Sequence, residues 1–291
     1  MNKISFSQWT TWAKCPLWWK NKYVIGPRID DSSIDTVFGT TMHEVIQDWL
    51  TDVFGKSEAY ANKQDLTDKI RATLIKLFTE NTTKTDDGQT VYLCDKTTLM
   101  EYYTHGCLIM DYLQTHRAKI FPTKNVTLVG IEVELAVEVK NNVLFKGFID
   151  IVTKDEETGR VTIYDLKTSK SGWGDWQKKD KLKTHQLLLY KKFYSKQYDV
   201  PENMIDVQFV ILKRMIVESD LYHIPRIGKF IPANGKPSVN KAVADIEHFI
   251  DECFNPDGSY KDIEAVPTPS KSNCRFCSYK TDKEKCPVGI S

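Results

Sequence analysis

Between Val126 and Thr168 the chain leaves helical periodicity for strict alternation, and this block of sheet must sit at the centre of whatever it folds into. Along Val126–Val139, Ile131, Val133, Leu135 and Val137 fall on one face, with Glu132, Glu134 and Glu138 on the other. That two-residue period belongs to a half-buried strand. Val143–Thr153 and Arg160–Thr168 are also strand-like, and the turn from Asp155 to Gly159 joins them into a hairpin. Such a meander needs helices to cover it.

The flanking sequence supplies them. Ser5 or Ser7 can cap a helix running toward Cys15, where Pro16 enforces a break. Apolar periodicity predicts helices over Asp35–Phe54, Asp65–Glu80 and Lys96–Lys119, with a loop at 81–89. One long helix is expected from Trp176 to Gln197, then a return strand over Met204–Lys213. Gly228, Pro232, Gly235 and Pro237 mark a loop before a last helix, Val239–Phe254. The expected fold class is α/β (α+β), a central mixed β-sheet flanked by helices. It forms one domain over 1–291, with 55–120 as a helical insertion lobe.

No run approaches the roughly 18–20 apolar residues of a membrane-spanning helix, and MNKISFSQWTTW lacks a signal-peptide layout. The expectation is a cytoplasmic protein without a membrane partner, in a bacterium or in the host of a phage. An odd count of seven cysteines agrees, since it argues for metal binding or burial over a disulfide framework. A formal net charge of +1 means that any basic surface must be local.

Chemistry concentrates at Gly147-Phe148-Ile149-Asp150 and at Tyr164-Asp165-Leu166-Lys167-Thr168. In a strand Asp165 and Lys167 share a face, continuing from Val161 and Ile163, and Asp150 ends the neighbouring strand. Two carboxylates and an ammonium can thus meet at one mouth of the sheet. Hard oxygen ligands suit Mg²⁺ or Mn²⁺, and a lysine can orient water and balance charge on a phosphate. The plain alternative is a salt bridge across a surface hairpin. His43 lies on a helix face with Gly39, Ile46 and Leu50, as a metal ligand or as an ordinary core histidine. Gln186 and Tyr190, four apart, share a helix face where they can hydrogen-bond a phosphate.

Cys274 and Cys277 form a C-x-x-C, and Cys286 follows nine residues later. Three thiolates leave a four-coordinate site incomplete, and Cys15, before Pro16, is the candidate for the fourth ligand. Thiolates suit zinc as well as iron–sulfur. Cys94, Cys107 and Cys253 read as ordinary small apolar residues.

In this order, His43, the G-x-x-D ending at Asp150, the D-x-K-T at Asp165–Thr168 and the Q-x-x-x-Y at Gln186–Tyr190 resemble the RecB/AddB-like PD-(D/E)XK nucleases. That family includes CRISPR-associated adaptation exonucleases and phage nucleases. The stretch Ser5-Phe6-Ser7-Gln8 through Cys15-Pro16 resembles the family's first helix. The resemblance spans Ser5 to Cys286, though 55–120 contribute no motif. It implies a restriction-endonuclease-like core, with a divalent metal held by His43, Asp150, Asp165 and the Leu166 carbonyl. Lys167 would be the catalytic lysine, with Gln186 and Tyr190 completing the site. It further implies in-line attack by a metal-activated water and a [4Fe–4S] cluster on Cys15, Cys274, Cys277 and Cys286, placed in the element formed by 271–291 and Cys15. The signature proline before the first aspartate is Ile149 here, at a degenerate position.

Nine lysines between Lys167 and Lys196 face two acids, Asp175 and Asp180. Lys170, Lys178, Lys179, Lys181 and Lys183 can neutralise phosphates, and Trp173 and Trp176 can stack on unpaired bases. A solvated charged helix over two buried rings is the plain alternative. The reading is a Mg²⁺- or Mn²⁺-dependent deoxyribonuclease, an exonuclease on DNA ends or single strands in recombination or repair, with a helicase or recombination protein as a further partner. The alternative is an iron–sulfur DNA-binding adaptor active only within a larger complex.

Overall fold

The computed structural model describes residues 1–26, 32–85, 87–216 and 224–290. A short strand, β1 (Asn2–Ile4), leads into α1 (Phe6–Lys14), capped by the Ser5 side chain on the Gln8 amide. Cys15 is extended, and Pro16 opens α2 (Pro16–Lys20), where its missing N–H costs nothing. The chain then forms α3 (Ile34–Gly55), α4 (Glu58–Ala61) and α5 (Leu66–Glu80), capped by Ser33, Ser57 and Asp65. The expected loop at 81–89 carries one side of a two-stranded ribbon, β2 (Thr83–Lys84) with β3 (Thr90–Val91), ahead of α6 (Lys96–Ile120).

Three long strands follow, β4 (Val126–Lys140), β5 (Val143–Asp155) and β6 (Val161–Ser169). The expected single helix from Trp176 is two, α7 (Asp175–Lys179) and α8 (Lys181–Tyr198), because Asp180 is extended and caps the Leu182 amide. The chain returns as β7 (Ile205–Lys213) and β8 (Ile227–Phe230), then α9 (Lys236–Cys253) and α10 (Lys271–Cys274). The strand β8 lies where Gly228 had suggested a loop. It is an antiparallel edge on β7, where a glycine is tolerated.

Six strands make one mixed sheet in the order β1-β5-β6-β7-β8, with β4 on the remaining edge of β5. Helices cover both faces. α1, α8 and α9 pack with Phe145, Ile149, Ile163 and Phe209 on one face. On the other, α3, α5 and α6 pack with Ile151, Tyr164, Leu166 and Val210, so residues 55–120 supply much of that layer. The pairing of β4 with β5 shifts register between Leu128 and Gly130 and between Glu138 and Lys140, and its core-facing side changes at Glu132. Val133, Leu135 and Val137 join the first core, but Ile131 packs against the second. Glu132 between them is left-handed, with φ 49°, and that turn of the backbone swaps the faces.

Two features of β5 position the site. β4 occupies one of its edges along nearly the whole length. On the other edge β1 pairs with Val143–Phe145, and β6 pairs only with Ile151–Lys154. Between them the edge is open, and β6 diverges from β5 at Asp150 and Asp165.

Candidate active site

Where β5 and β6 part, the Leu166 backbone loses its ladder partner on that side. Its N–H donates instead to Asp150 Oδ2 at 2.6 Å, and its carbonyl lies 3.0 Å from His43 Nε2. His43 arrives from α3, which packs closely on β6: a Cβ on Gly39 would meet Thr168 Oγ1 at 3.4 Å. Its other nitrogen, Nδ1, stands 3.6 Å from Asp150 Oδ1. The backbone of one residue, Leu166, thus fixes an imidazole through its carbonyl and a carboxylate through its N–H.

Asp165 and Lys167 point to the opposite face, on the side of Val161 and Ile163, as the strand period requires. Lys167 Nζ is 2.7 Å from Asp165 Oδ2. At that distance the ammonium is a charge-assisted partner for the buried carboxylate oxygen. From the same face α8 brings Gln186 and Tyr190, with Gln186 Nε2 donating to the Tyr190 hydroxyl at 3.1 Å. Gly147 permits this approach, because a Cβ there would stand 3.0 Å from Tyr190 Cε1.

Sequence reasoning missed one site residue, Glu132. Its carboxylate, His43 and Asp150 offer ligand atoms within 4.8 Å of one another. The left-handed backbone turns it there, and Gln47, one turn beyond His43 on α3, donates to Glu132 Oε1 at 2.6 Å and to the Asp150 carbonyl at 3.3 Å. An exposed position in an alternating strand gave no signal for this. The structure sets Asp165 beside this group rather than in it.

Electrostatics follow from burial. Desolvation pushes Asp150 and Asp165 up to about 6, against the pull of Lys167. Desolvation also lowers His43, helped by Lys167 and opposed by Asp165. For Lys167 burial lowers the pKa, but Asp165 and Asp150 outweigh it and leave the ammonium above its ordinary value. Burial, then the charges of Asp165, Asp150 and Glu132, raises Tyr190 despite its bond from Gln186.

The donor set fits a hard divalent cation. It offers carboxylate oxygens, a carbonyl and one imidazole held neutral.

The four cysteines expected to act together line one small cavity of about 10 Å³ between α2 and the C-terminal segment. Burial raises the Cys277 thiol, and Cys15, Cys286 and Cys274 all add to the effect. The Thr268 amide approaches Cys15 Sγ at 3.5 Å. Nearby, Asn273 Nδ2 donates to the Lys14 carbonyl at 2.8 Å and Asn21 Nδ2 to the Lys285 carbonyl at 2.9 Å. Cys253 is buried in the sheet–helix core and Cys107 packs against the other face, away from this group.

The lysine cluster divides. Lys181 pairs with Asp245 at 3.0 Å, drawn to α9, while Lys191 bonds Asn234 and Lys192 pairs with Glu202. Lys170 and Lys179 are exposed, Lys178 and Lys183 half-buried. Burial, with Lys14 and Lys167 adding to it, lowers the pKa of Lys183, so it belongs to the site's side of the molecule. Trp173, expected as a stacking ring, is tucked against Phe209 and Phe230 with centroids 4.9 and 6.1 Å away. Trp176 is 68% exposed.

Three comparisons bear on this arrangement. The family model of the PD-(D/E)XK nuclease superfamily matches residues 3–281. A crystal structure from Eubacterium rectale that carries an unproven exonuclease name aligns over 86% of this chain and 79% of its own, at 11% identity and a TM-score of 0.47. No curated protein matches the chain.

Proposed function

Because this chain belongs to the PD-(D/E)XK nuclease superfamily over residues 3–281, we propose that it is a Mg²⁺- or Mn²⁺-dependent exonuclease that degrades single-stranded or frayed DNA ends in recombination or repair. Metal-dependent nucleolysis follows from the family. The choice of metal, the mode of attack and the biological setting are our reading; the metal-dependent site is carried by one observation, that His43, Glu132 and Asp150 converge next to the Leu166 carbonyl and the Asp165–Lys167 ion pair.

His43, Glu132 and Asp150 would hold the cation with the Leu166 carbonyl, and Asp165 completes the set from the facing side. When bound, such a cation polarises the phosphate and activates water. Lys167, anchored by Asp165, directs its remaining N–H groups at the negative charge that grows on the phosphate. Gln186 and Tyr190 bind a non-bridging oxygen or a neighbouring phosphate and keep the strand in line. Lys170, Lys178, Lys179, Lys183 and Trp176 extend the track for a backbone that is held without sequence readout.

Cys15, Cys274, Cys277 and Cys286 hold a [4Fe–4S] cluster in this reading. A single zinc ion would draw its sulfurs to about 3.8 Å from one another. The cluster fastens the first helices to the C-terminal segment and leaves catalysis to the carboxylates.

The test is degradation of end-labelled DNA. With Mg²⁺ or Mn²⁺ the protein shortens the strand from an end, EDTA stops it, and Asp165→Ala or Lys167→Ala removes activity from a folded protein. Undiminished cleavage by either variant refutes the assignment. Cleavage of circular single-stranded DNA would leave the metal site in place but replace exonuclease by endonuclease.

A further inference from the structure

β1 and β6 share one edge of β5 without meeting, and a groove enters the molecule through the gap. Its volume is about 460 Å³, and its walls include Lys3, Ser7, Lys146, Phe148, Gln186 and Tyr190. Its inner end is the Gln186–Tyr190 pair, close enough to the site that Asp165 and Asp150 act on the Tyr190 hydroxyl. No acidic side chain lines it among the described residues, and two lysines do.

Phe148 is 43% exposed, two residues before Asp150, although β5 buries Val143, Phe145, Ile149, Ile151 and Val152 and half-buries Leu144. Lys146 Nζ stands 5.2 Å from the centre of the Phe148 ring and 3.0 Å from Glu134, which fixes the lysine beside the ring. The far wall is the first turn of α1, which contains no acidic residue. Gln8, from that turn, lines the groove, is only 5% exposed, and has an Oε1 without a hydrogen-bond donor. A buried acceptor left unpaired is rare unless a partner arrives.

We propose that this groove is a subsite for one unpaired nucleotide adjoining the phosphate that is cut, its base stacked on Phe148 and its outer phosphate directed to Lys3 and the α1 amides. The inference rests on the reading of the neighbouring carboxylates as a nuclease centre and names the substrate that centre takes: single-stranded DNA. A base inside a duplex has both faces stacked and cannot offer one to Phe148, and at a blunt end a face is open only on a terminal base still held in its pair, whereas an unpaired base can turn onto the ring freely. The contact is to a π-face and a backbone, so it is indifferent to sequence. Helix amides and a lysine are suited to the phosphate.

Binding in EDTA separates this subsite from catalysis. Fluorescence anisotropy would follow a labelled oligodeoxythymidylate and a blunt duplex of equal length, with circular dichroism to check that each variant is folded. Phe148→Ala should weaken the single strand on the order of five- to a hundredfold, Phe148→Trp should hold it, and the duplex should be little affected. Lys3→Ala should lower the slope of log affinity against log salt by about 0.7. Single-strand affinity unchanged in Phe148→Ala, or an equal loss on the duplex, overturns the proposal. If the parent protein cleaves nothing with Mg²⁺ or Mn²⁺ but Phe148→Ala still loses the single strand, the nuclease reading fails and the subsite stands.

Discussion

The Leu166 amide donates to Asp150 Oδ2 at 2.6 Å, across the point where two strands stop pairing. A ladder hydrogen bond has been replaced by one to a carboxylate. The sheet therefore aims a proposed metal ligand by its own geometry, and the Leu166 carbonyl next to it aims His43. An N–H left unpaired in this buried position would cost about 1–3 kcal/mol.

Asp150→Ala should therefore lose stability as well as activity. We predict a fall of about 1–3 kcal/mol in metal-free urea unfolding near pH 5, below the value of about 6 at which the buried carboxyl takes on its charge, together with loss of DNA cleavage. A variant as stable as its parent would mean that the Leu166 amide finds water or another acceptor, and that Asp150 does no structural work.

Lys167→Ala should lower cleavage on the order of a hundred- to a thousandfold, and its effect on stability should depend on pH. Burial has pushed Asp165 up to about 6 with Lys167 pulling it down. Removing the ammonium raises that pKa further, so the folded variant binds its proton more tightly. Near pH 5 the carboxyl is largely neutral in both proteins and little is lost. Near pH 8 the parent keeps an ion pair and the variant a bare buried charge, so the loss is greatest there. Urea unfolding at the two pH values measures it; an equal loss at both contradicts the assigned burial.

The same displaced groups govern metal binding. Asp150 and Asp165, pushed up to about 6, hold protons that a cation must displace, whereas His43 is kept neutral by burial and by Lys167. In the metal-free protein each carboxyl stabilises the fold fully below its ordinary pKa, and that contribution is lost as pH rises through about 6. His43, whose pKa is lowered, has the opposite sign below its ordinary value. Mn²⁺ restores what the carboxylates lose. Its effect on the melting temperature should therefore be small at pH 5 and large at pH 7.5, with a midpoint near 6. A pH-independent shift would place the binding site elsewhere.

Much of this site was legible because strands obey a simple period. Asp165 and Lys167 share the face of Val161 and Ile163, as counting by two demands. What escaped is what breaks a period. Glu132 looked like one more solvent-facing acid, because nothing in Ile131-Glu132-Val133 announces a left-handed backbone. Asp180 is a good N-cap, yet the lysines on both sides concealed the end of one helix and the start of the next. Trp173 and Lys181 were both assigned to a DNA track, since composition cannot say that Phe209 and Asp245 would claim them. The gap between β1 and β6 depends on pairing lengths, which the sequence does not specify locally.

Replacing Cys286 tests the thiol cavity separately from the cleft. The four cysteines join the first helices to a tail that has little regular structure of its own, with α10 spanning only Lys271–Cys274. Cys286→Ser should release iron, remove visible absorbance after anaerobic purification and expose the C-terminal segment to protease, while carboxylate-dependent Mn²⁺ binding remains. Four sulfurs with one zinc per chain by elemental analysis would replace the cluster by a structural ion.

Glu132 is held in a conformation that costs a non-glycine residue about 1–2 kcal/mol, and Gln47 holds its carboxylate at 2.6 Å. Strain of this kind persists where function requires it. Glu132→Gly would relieve the backbone and remove the ligand together. We predict a metal-free protein at least as stable as the parent, with a smaller Mn²⁺-induced rise in melting temperature. Gln47→Leu keeps the ligand but frees its orientation, so Mn²⁺ affinity by calorimetry should fall about 10- to 100-fold. Cleavage should return toward the parental rate at saturating Mn²⁺, because the reacting groups themselves are intact. If Glu132→Gly lowers metal-free stability and leaves Mn²⁺ binding unchanged, the left-handed turn serves packing alone, and the cradle reduces to His43, Asp150 and Asp165.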